Sequence, residues 1–563
     1  MSLLRNGFVF AFICLIIVAC RNTQDTIESM KGNASIKVVI NGSNFDDSGL
    51  LGTQANTDKQ NILGNGQHEE ILLKQNSDYK LVATLISNNN LESSSQASSK
   101  NNMLAVTETN PLDVGIMYKV IVFDNTGKYI KEQNYISGQN GTEITGLDGG
   151  INYTFIAYSV GLSGSVPDTT YSDPLNKTLS GATVESVSGN NDLMYYNTSM
   201  IVTGNNTNYL NITFRHKFSQ ITTTLDTNAT NVYKIVKADN VSIVPHNSNA
   251  TLKLSDGSIA GNGVLAQQIV FPVGDGTATS LTAAPVFINA TATTTGTFTI
   301  GTITLKLDMP PTATNIVHNN IVFNNLKIIP GVKYDLKLSF VPNDKYLIYN
   351  GIPAVRMNGI IWMRHNLGVN TTLDPDTPGQ NIMGNYYQFG KSTIVADAYT
   401  SSNAISGWNT TLAANNAWNS GTELNPIKNA ANDPCPSGYR VPTRGELRVL
   451  GDQSNVSYSF FNHTASDTNY NGAMILTSKY NSAIRVTIPL SGARAYADGS
   501  LSSFIDKQRG YAGLLWSSAA PTGSQPIYAN FGNANIYVNS TGATAADKSS
   551  GFNIRCVAEL PYN

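Results

Sequence analysis

Apolar and polar positions alternate with a period of two through much of the chain. In YLNITFRHKFSQITTTLD, residues Ile212, Phe214, His216 and Phe218 fall on one face, and Thr213, Arg215 and Lys217 on the other. That is the pattern of a strand with one buried side. The stretch LKIIPGVKYDLKLSF repeats it: after a Pro330-Gly331 turn, Tyr334, Leu336, Leu338 and Phe340 point one way and Lys333, Asp335, Lys337 and Ser339 the other. One face buried and one wet predicts antiparallel sheets packed as a sandwich. Further strands are expected at Asp78 to Ile86 and within LDGGINYTFIAYSV at 147–160, and MYKVIVFDNTGKYIKEQNYISG at 117–138 reads as a hairpin turning at Asp124-Asn125-Thr126-Gly127. Leu91 to Asn102 (LESSSQASSKNN) reads as a flexible loop. His216, on the apolar face, reads as a hydrogen-bonded core histidine before a catalytic one. Beyond Pro442 the period changes. Thr443 is placed to cap a helix with Glu446 reaching back from the third position, a capping box leading into Leu447 and Leu450. Later, Phe552, Ile554 and Cys556 share one face of a strand.

The N-terminus breaks the alternation. In MSLLRNGFVFAFICLIIVACRN an early Arg5 precedes an apolar run from Gly7 to Ala19. It is too short for a hydrocarbon core that needs about 20 residues, and reads as a cleaved signal. The run closes on Ile17-Val18-Ala19-Cys20, which resembles a bacterial lipobox, where the cysteine is acylated and becomes the mature N-terminus. An ordinary signal with an incidental cysteine is the alternative.

The chain holds 4 cysteines. On the lipobox reading Cys14 leaves with the signal and Cys20 carries lipid, so Cys435 and Cys556 remain, most simply as one disulfide of an exported protein. Such a bond closes a loop of about 120 residues, worth roughly 4 to 5 kcal/mol in the chain-entropy picture. A redox or nucleophilic pair is the competing reading, but the spacing is not C-x-x-C and no histidine is near either residue. Pro434, Pro436 and Gly438 predict a tight turn around Cys435. The 6 histidines are scattered without ligand spacing, so no metal and no cofactor are expected. Charged residues make up 13% of the chain and the net charge is −2, leaving no basic field for nucleic acid.

These stretches, in order, resemble the fimbrillin family, the lipoprotein pilins of Bacteroidetes type V pili. The resemblance spans roughly residues 30–342 and rests on Tyr-x-Phe-x-Ala-Tyr-Ser at 153–159, the hairpin before it, Phe-Arg-His-Lys-Phe at 214–218 and Pro-Gly-x-x-Tyr-x-Leu-x-Leu at 330–338. All 4 tryptophans lie beyond residue 345, and there GIIWMRHNLG, GNYYQFGK, CPSGYRVPTRGEL, LSGARAYADGSL, GLLWSS and FNIRCV resemble the Fibrobacter succinogenes major paralogous domain, related to C-type-lectin-like folds. The resemblance implies a mainly β chain: two tandem antiparallel β-sandwiches of the transthyretin-like fimbrillin kind, then an α+β C-type-lectin-like domain. The expected division is 1–19 signal, 20–35 tether, 36–205 and 206–342 sandwiches, 343–352 linker and 353–563 C-terminal domain. It also implies pairing of Cys435 with Cys556, with Trp362 and Trp516 as core aromatics beside them.

Such a chain is expected at the cell surface, anchored to the outer membrane through its lipid, with other pilin subunits as partners by strand exchange. In the family, an N-terminal segment is removed, commonly by arginine-specific proteolysis. Here no arginine lies between Arg21 and Arg215, so cleavage would fall at Lys37, Lys59 or Lys74, or to another protease. The added C-terminal domain fits a tip or accessory subunit, since a pilin donating its own C-terminal strand would end near the second sandwich. It also fits a module binding a host or microbial glycan or protein. Trp408 and Trp418, in the polar loop Ser401 to Thr422, are candidate ligand contacts, the alternative being that they pack a long insertion. The triplets of calcium-dependent sugar lectins are absent. Related folds occur in sulfatase-modifying enzymes, but no catalytic constellation stands out here, so no enzyme is expected.

Overall fold

The computed structural model describes residues 31–46, 67–73, 78–87, 110–230, 233–307, 315–518, 526–532, 536–539 and 545–559. Cys20, Lys59, Lys74 and the loop at Leu91 to Asn102 lie outside them. The N-terminal body is built from β1 (Asn33–Asn44), β2 (Gln67–Leu72), β3 (Tyr79–Ser87), β4 (Met117–Phe123), β5 (Tyr129–Ile136), β6 (Ile144–Asp148), β7 (Asn152–Ser159), β8 (Thr170–Tyr171), β9 (Ala182–Ser188) and β10 (Met194–Ile201). It continues through β11 (Thr207–His216), β12 (Ser219–Asp226), β13 (Tyr233–Lys253), β14 (Ile259–Ile269), β15 (Ser280–Thr282), β16 (Val286–Ile288), β17 (Thr293–Leu307), β18 (Asn315–Ile328) and β19 (Lys333–Pro342).

Local chemistry accounts for the turns. Between β4 and β5, Asp124 Oδ1 accepts the amides of Thr126 and Lys128 at 2.9 Å, and Gly127 takes the positive φ of +81° that the tight turn needs. Before β19, Gly331 does the same at +77°. In β19, Tyr334, Leu336, Leu338 and Phe340 are buried.

The strands assemble into three large sheets. The first runs β5-β4-β7-β10-β11-β1-β6 and rolls until its edge strands meet. Lys131 Nζ and Gln133 Nε2 on β5 donate to the carbonyls of Thr145 and Thr142 at 2.7 and 3.0 Å. Inside the roll lie Ile36, Val120, Phe155, Leu210, Ile212 and Phe214. Its outer face, with Ile121, Phe123, Ile156 and Tyr158, packs on β9 and the C-terminal half of β13. The second sheet runs β15-β12-β19-β3-β2 and the third β18-β17-β13-β9-β8, with β14 also on β13. The N-terminal half of β13 joins β17 and β18 over the second sheet, enclosing Leu81, Ile221, Ile235, Phe298, Leu336 and Leu338.

This differs from the expected split at residue 205. β3 pairs antiparallel with β19 across Tyr79–Pro342 to Ser87–Tyr334, so an early segment completes the later core, and β11 beyond the boundary completes the earlier one. The sheets are also not purely antiparallel: β1 with β11 and β12 with β19 run parallel. The physical reason is that alternation fixes which face a strand buries but leaves its neighbours open.

The C-terminal unit begins earlier than expected. Lys345–Tyr349, placed in the 343–352 linker by sequence, pairs with Ile352–Met357 in a five-stranded sheet that continues through Ile360–Met363, Val557–Ala558 and Tyr439–Arg440. Two three-stranded sheets, Val456–Phe461 with Ala473–Ser478 and Arg485–Pro489, and Leu514–Trp516 with Tyr528–Asn530 and Tyr537–Asn539, and a two-stranded pair, Tyr386–Tyr387 with Ile394–Ala396, complete it. Its α content is a single seven-residue helix, α1 (Arg444–Leu450), among the described residues. Body and C-terminal unit meet at a polar seam. Arg356, 2% exposed, pairs with Asp78 at 2.8 Å, and Asn455 Nδ2 donates to the Ala229 carbonyl at 3.0 Å. Burial pushes the Asp78 carboxyl up to about 6 against the pull of Arg356.

Candidate functional site

The turn around Cys435 is built by its neighbours. Asp433 accepts the amides of Cys435 and Val441 at 2.8 and 2.9 Å, while Lys428 Nζ donates to the carbonyls of Cys435 and Pro436 at 2.7 and 2.9 Å. Gly438 sits at φ +78°, and a Cβ there would lie 1.7 Å from Asn350 Nδ2. Cys435 is disulfide-bonded to Cys556, with Cα atoms 5.9 Å apart. Both are buried with Trp516, Phe552 and Ile554, and Trp362 fills the adjoining core. Burial raises the Asp433 carboxyl to about 6 despite its two amide donors. Just beyond, Thr443 and Glu446 form the capping box of α1, and Glu446 also grips Arg440 with both oxygens at 2.8 and 2.6 Å.

The two candidate ligand-contact tryptophans part company. Trp418 is fully buried. Its ring meets Phe389 at 4.9 Å and Trp516 at 6.3 Å, and its Nε1–H donates to the Asn432 carbonyl at 3.0 Å. It packs the core, so the packing alternative holds for this residue and its candidacy as a ligand contact does not. Trp408 is only half-buried. Its indole lies flat on Gly499, where a Cβ would come 2.2 Å from the ring, and its Nε1–H donates to the Tyr496 carbonyl at 3.1 Å.

Trp408 thus belongs to a surface made by two loops, 397–409 and 494–501. Arg494 joins them from beneath. Completely buried, it donates to the carbonyls of Thr400 and Ser401 on one loop and Gly499 on the other, at 2.7, 2.5 and 3.4 Å. Burial pulls its guanidinium below the ordinary range, opposed by Tyr386. Backbone bonds add to the join: Leu501 N to Ser402 O and Ile405 N to Asp498 O, each 2.8 Å. Asp397 Oδ1 holds the turn at Tyr399 by accepting its amide and that of Thr400. Above this frame Tyr399 and Tyr496 are 68% and 50% exposed. Sequence reasoning singled out LSGARAYADGSL as a motif without seeing that Arg494 underlies, and Tyr496 belongs to, the same surface as Trp408. The available signal was the run from Ala398 to Thr422, which contains no charged residue.

A second feature lies in the rolled sheet. β1 pairs parallel to β11 from Ser35 to Asn44 and antiparallel to β6 from Asn33 to Ile36. Ala34 and Ile36 are in the core, with Val38 and Ile40 packed against it. Its far end is clasped. Phe45 stacks on His216 at 3.7 Å with rings nearly parallel, His216 Nδ1 lies 2.6 Å from Asp192 Oδ1, and Asp46 pairs with Arg215 at 3.1 Å. His216 is a hydrogen-bonded core residue. Lys37 lies inside β1, its side chain exposed.

Among the described residues no group of three or more His, Cys, Asp and Glu could hold a metal ion, and no helix is long and apolar enough to cross a membrane. His365 and His463 face the carbonyls of Leu373 and Tyr511 at 2.9 and 3.0 Å.

Comparison with known proteins divides the chain at nearly the same place as the polar seam. Residues 97–352 match the family described as Fimbrillin-like, and residues 355–558 match the Fibrobacter succinogenes major domain. No curated protein gives a significant match. Similar solved structures include a candidate cell adhesion protein from Bacteroides fragilis NCTC 9343, 12% identical over 57% of this chain and 96% of that one, with a TM-score of 0.30. The fimbrial anchor protein Mfa2 from Porphyromonas gingivalis is 13% identical over 44% of this chain and 94% of its own, TM-score 0.25. A fimbrial assembly protein from Parabacteroides distasonis ATCC 8503 is 12% identical over 44% and 88%, TM-score 0.23.

Proposed function

We propose that the chain, which matches the Fimbrillin-like family over residues 97–352 and the Fibrobacter succinogenes major domain after it, is a tip or accessory subunit of a type V pilus. On this reading it is held at the outer membrane through lipid on Cys20, and its C-terminal domain, of C-type-lectin-like kind, is an adhesive head for a glycan or a protein. Its other partners are pilin subunits, engaged by strand exchange.

The observation that carries the reading is the seat of β1. Excising a strand that pairs on two sides and fills the roll with Ala34 and Ile36 leaves a groove shaped for another extended segment, whose main chain would satisfy the freed ladder. The head supports the accessory role: after β19 the chain enters a separate disulfide-closed unit, so this stretch is committed to the head and is not a donor strand.

The test is the N-terminus and molecular state of the protein from sheared cell-surface material, read by mass spectrometry beside an unheated gel. An N-terminus beyond β1, in a detergent-resistant ladder, is expected. A monomer still acylated at Cys20 and retained on the cell would overturn polymerisation and leave a surface-anchored binding lipoprotein.

A further inference from the structure

Resting on the reading of the C-terminal domain as an adhesive head, we infer that the surface formed by loops 397–409 and 494–501 binds an uncharged glycan, without calcium, by stacking sugar rings on Trp408, Tyr399 and Tyr496.

Three observations converge on this chemistry. The first is the aromatics. Tyr399 and Tyr496 are 68% and 50% exposed and Trp408 is half-buried, so the surface offers aromatic faces and edges to solvent. Sugar rings present C–H faces that pack on such rings while their hydroxyls stay available for hydrogen bonds. The second is charge. From Ala398 to Thr422 the chain has no Asp, Glu, Lys, Arg or His, and Ser, Thr and Asn fill the space between the aromatics. A surface recognising an anionic glycan, a phosphate or a charged peptide needs opposing charge; this one supplies no exposed cation, and its charges are the carboxylates Asp397 and Asp498 at its margins. Within the opposing loop Asp498 Oδ1 accepts the amide and hydroxyl of Ser500, Asp397 Oδ1 likewise serves the amides of Tyr399 and Thr400, and the cationic Arg494 is buried under the surface, so the exposed charge that remains is negative and disfavours an anionic ligand.

The third is preorganisation. Loops rich in Ser, Asn and Gly lose entropy when they close on a ligand. Here that cost has been met in folding, because Arg494 ties Thr400 and Ser401 to Gly499, the Trp408 indole is pinned to the Tyr496 carbonyl, and Gly499 leaves room for the ring to lie flat. A buried arginine spent on loop carbonyls, under exposed aromatic rings, costs desolvation that packing does not require. Its effect is to hold the rings in fixed relation. Among the described residues no cluster of carboxylates near them could hold calcium, so the stacking surface stands alone.

The experiment presents the full-length protein to an array of neutral hexose and N-acetylhexosamine oligosaccharides beside sialylated and sulfated ones, with calcium and again with EDTA, and then titrates the best neutral binder. Saturable binding to a neutral oligosaccharide is expected, insensitive to EDTA and to added salt. Tyr399→Ala and Tyr496→Ala, which leave the indole pin intact, should each weaken it about tenfold, and Trp408→Phe should retain more affinity than Trp408→Ala. Matching near-ultraviolet circular dichroism keeps folding separate from binding. Affinity unchanged in both tyrosine variants, binding abolished by EDTA, binding confined to the charged glycans, or no glycan bound at all would each overturn the inference. Capture of a protein ligand with no glycan bound would overturn it too while leaving the adhesive head standing. The pilus reading is scored separately, by the ladder from sheared material.

Discussion

Asp433 shows how a single residue sets a pH response. It sits beside the disulfide, accepts two amides, and is raised from 3.8 to about 6 chiefly by burial. A carboxyl whose folded pKa lies above its unfolded value binds its proton more tightly in the folded state. Its stabilising contribution is therefore complete below about pH 4 and is lost as pH rises through about 6, by at most about 3 kcal/mol. The melting temperature of the head should fall between pH 4 and pH 6, and Asp433→Asn should flatten that slope; identical slopes would rule this assignment out. Glu446 acts through its partners, since its carboxylate serves Arg440, the Thr443 amide and the capping box together. Glu446→Ala removes the carboxylate that faces a buried guanidinium and should cost about 3–5 kcal/mol in denaturant titrations. The capping box was legible in Thr443 and Glu446 because it is a local code. The grip on Arg440 was not legible, and neither was the burial of Trp418, because both depend on what folds over them.

At the scale of elements, period-two alternation identified strands such as β11 and β19 and the faces they bury. It could not show that β3 completes the sheet of β19, or that β1 runs parallel to β11, because both sides of any strand offer the same hydrogen-bonding groups. The clasp on β1 was similarly hidden: Phe45 and His216 are brought into a stack by the parallel register. If that stack holds the end of β1, Phe45→Ala should speed hydrogen exchange of the β1 amides about tenfold, the worth of one aromatic pair. Exchange in the β4–β5 hairpin should not change. Equal acceleration in both would mean that the stack serves the whole sheet.

For the molecule as a whole, the break in tryptophan content gave away a separate C-terminal unit, and the bond between Cys435 and Cys556 closes it across a sequence separation of 121. All 4 tryptophans lie in that unit, so their fluorescence follows it without signal from the body. Replacing both cysteines by serine should lower its stability by roughly 4 to 5 kcal/mol, on the scale of loop-closure entropy. The junction gives a different signature. Arg356→Ala leaves Asp78 without its partner in the seam and should open the junction to protease while the fluorescence transition of the head stays in place.

Among its described residues the body has no comparable seam, and the reason is β13. Twenty-one residues long, it is packed at one end into the core under β17 and β18 and at the other into the core against β9. Straight, a strand of that length would reach roughly 70 Å; register shifts at Ile235/Lys237, Ile243/His246 and Ala250/Leu252 bend it, and it acts as a bent joist common to two rooms. For the two cores to swivel against each other, the ladders from β13 to β14, β17 and β9 would have to tear. The two cores of the body are therefore tied into one unit, and bending between the body and the C-terminal unit is concentrated at the polar seam beside Arg356.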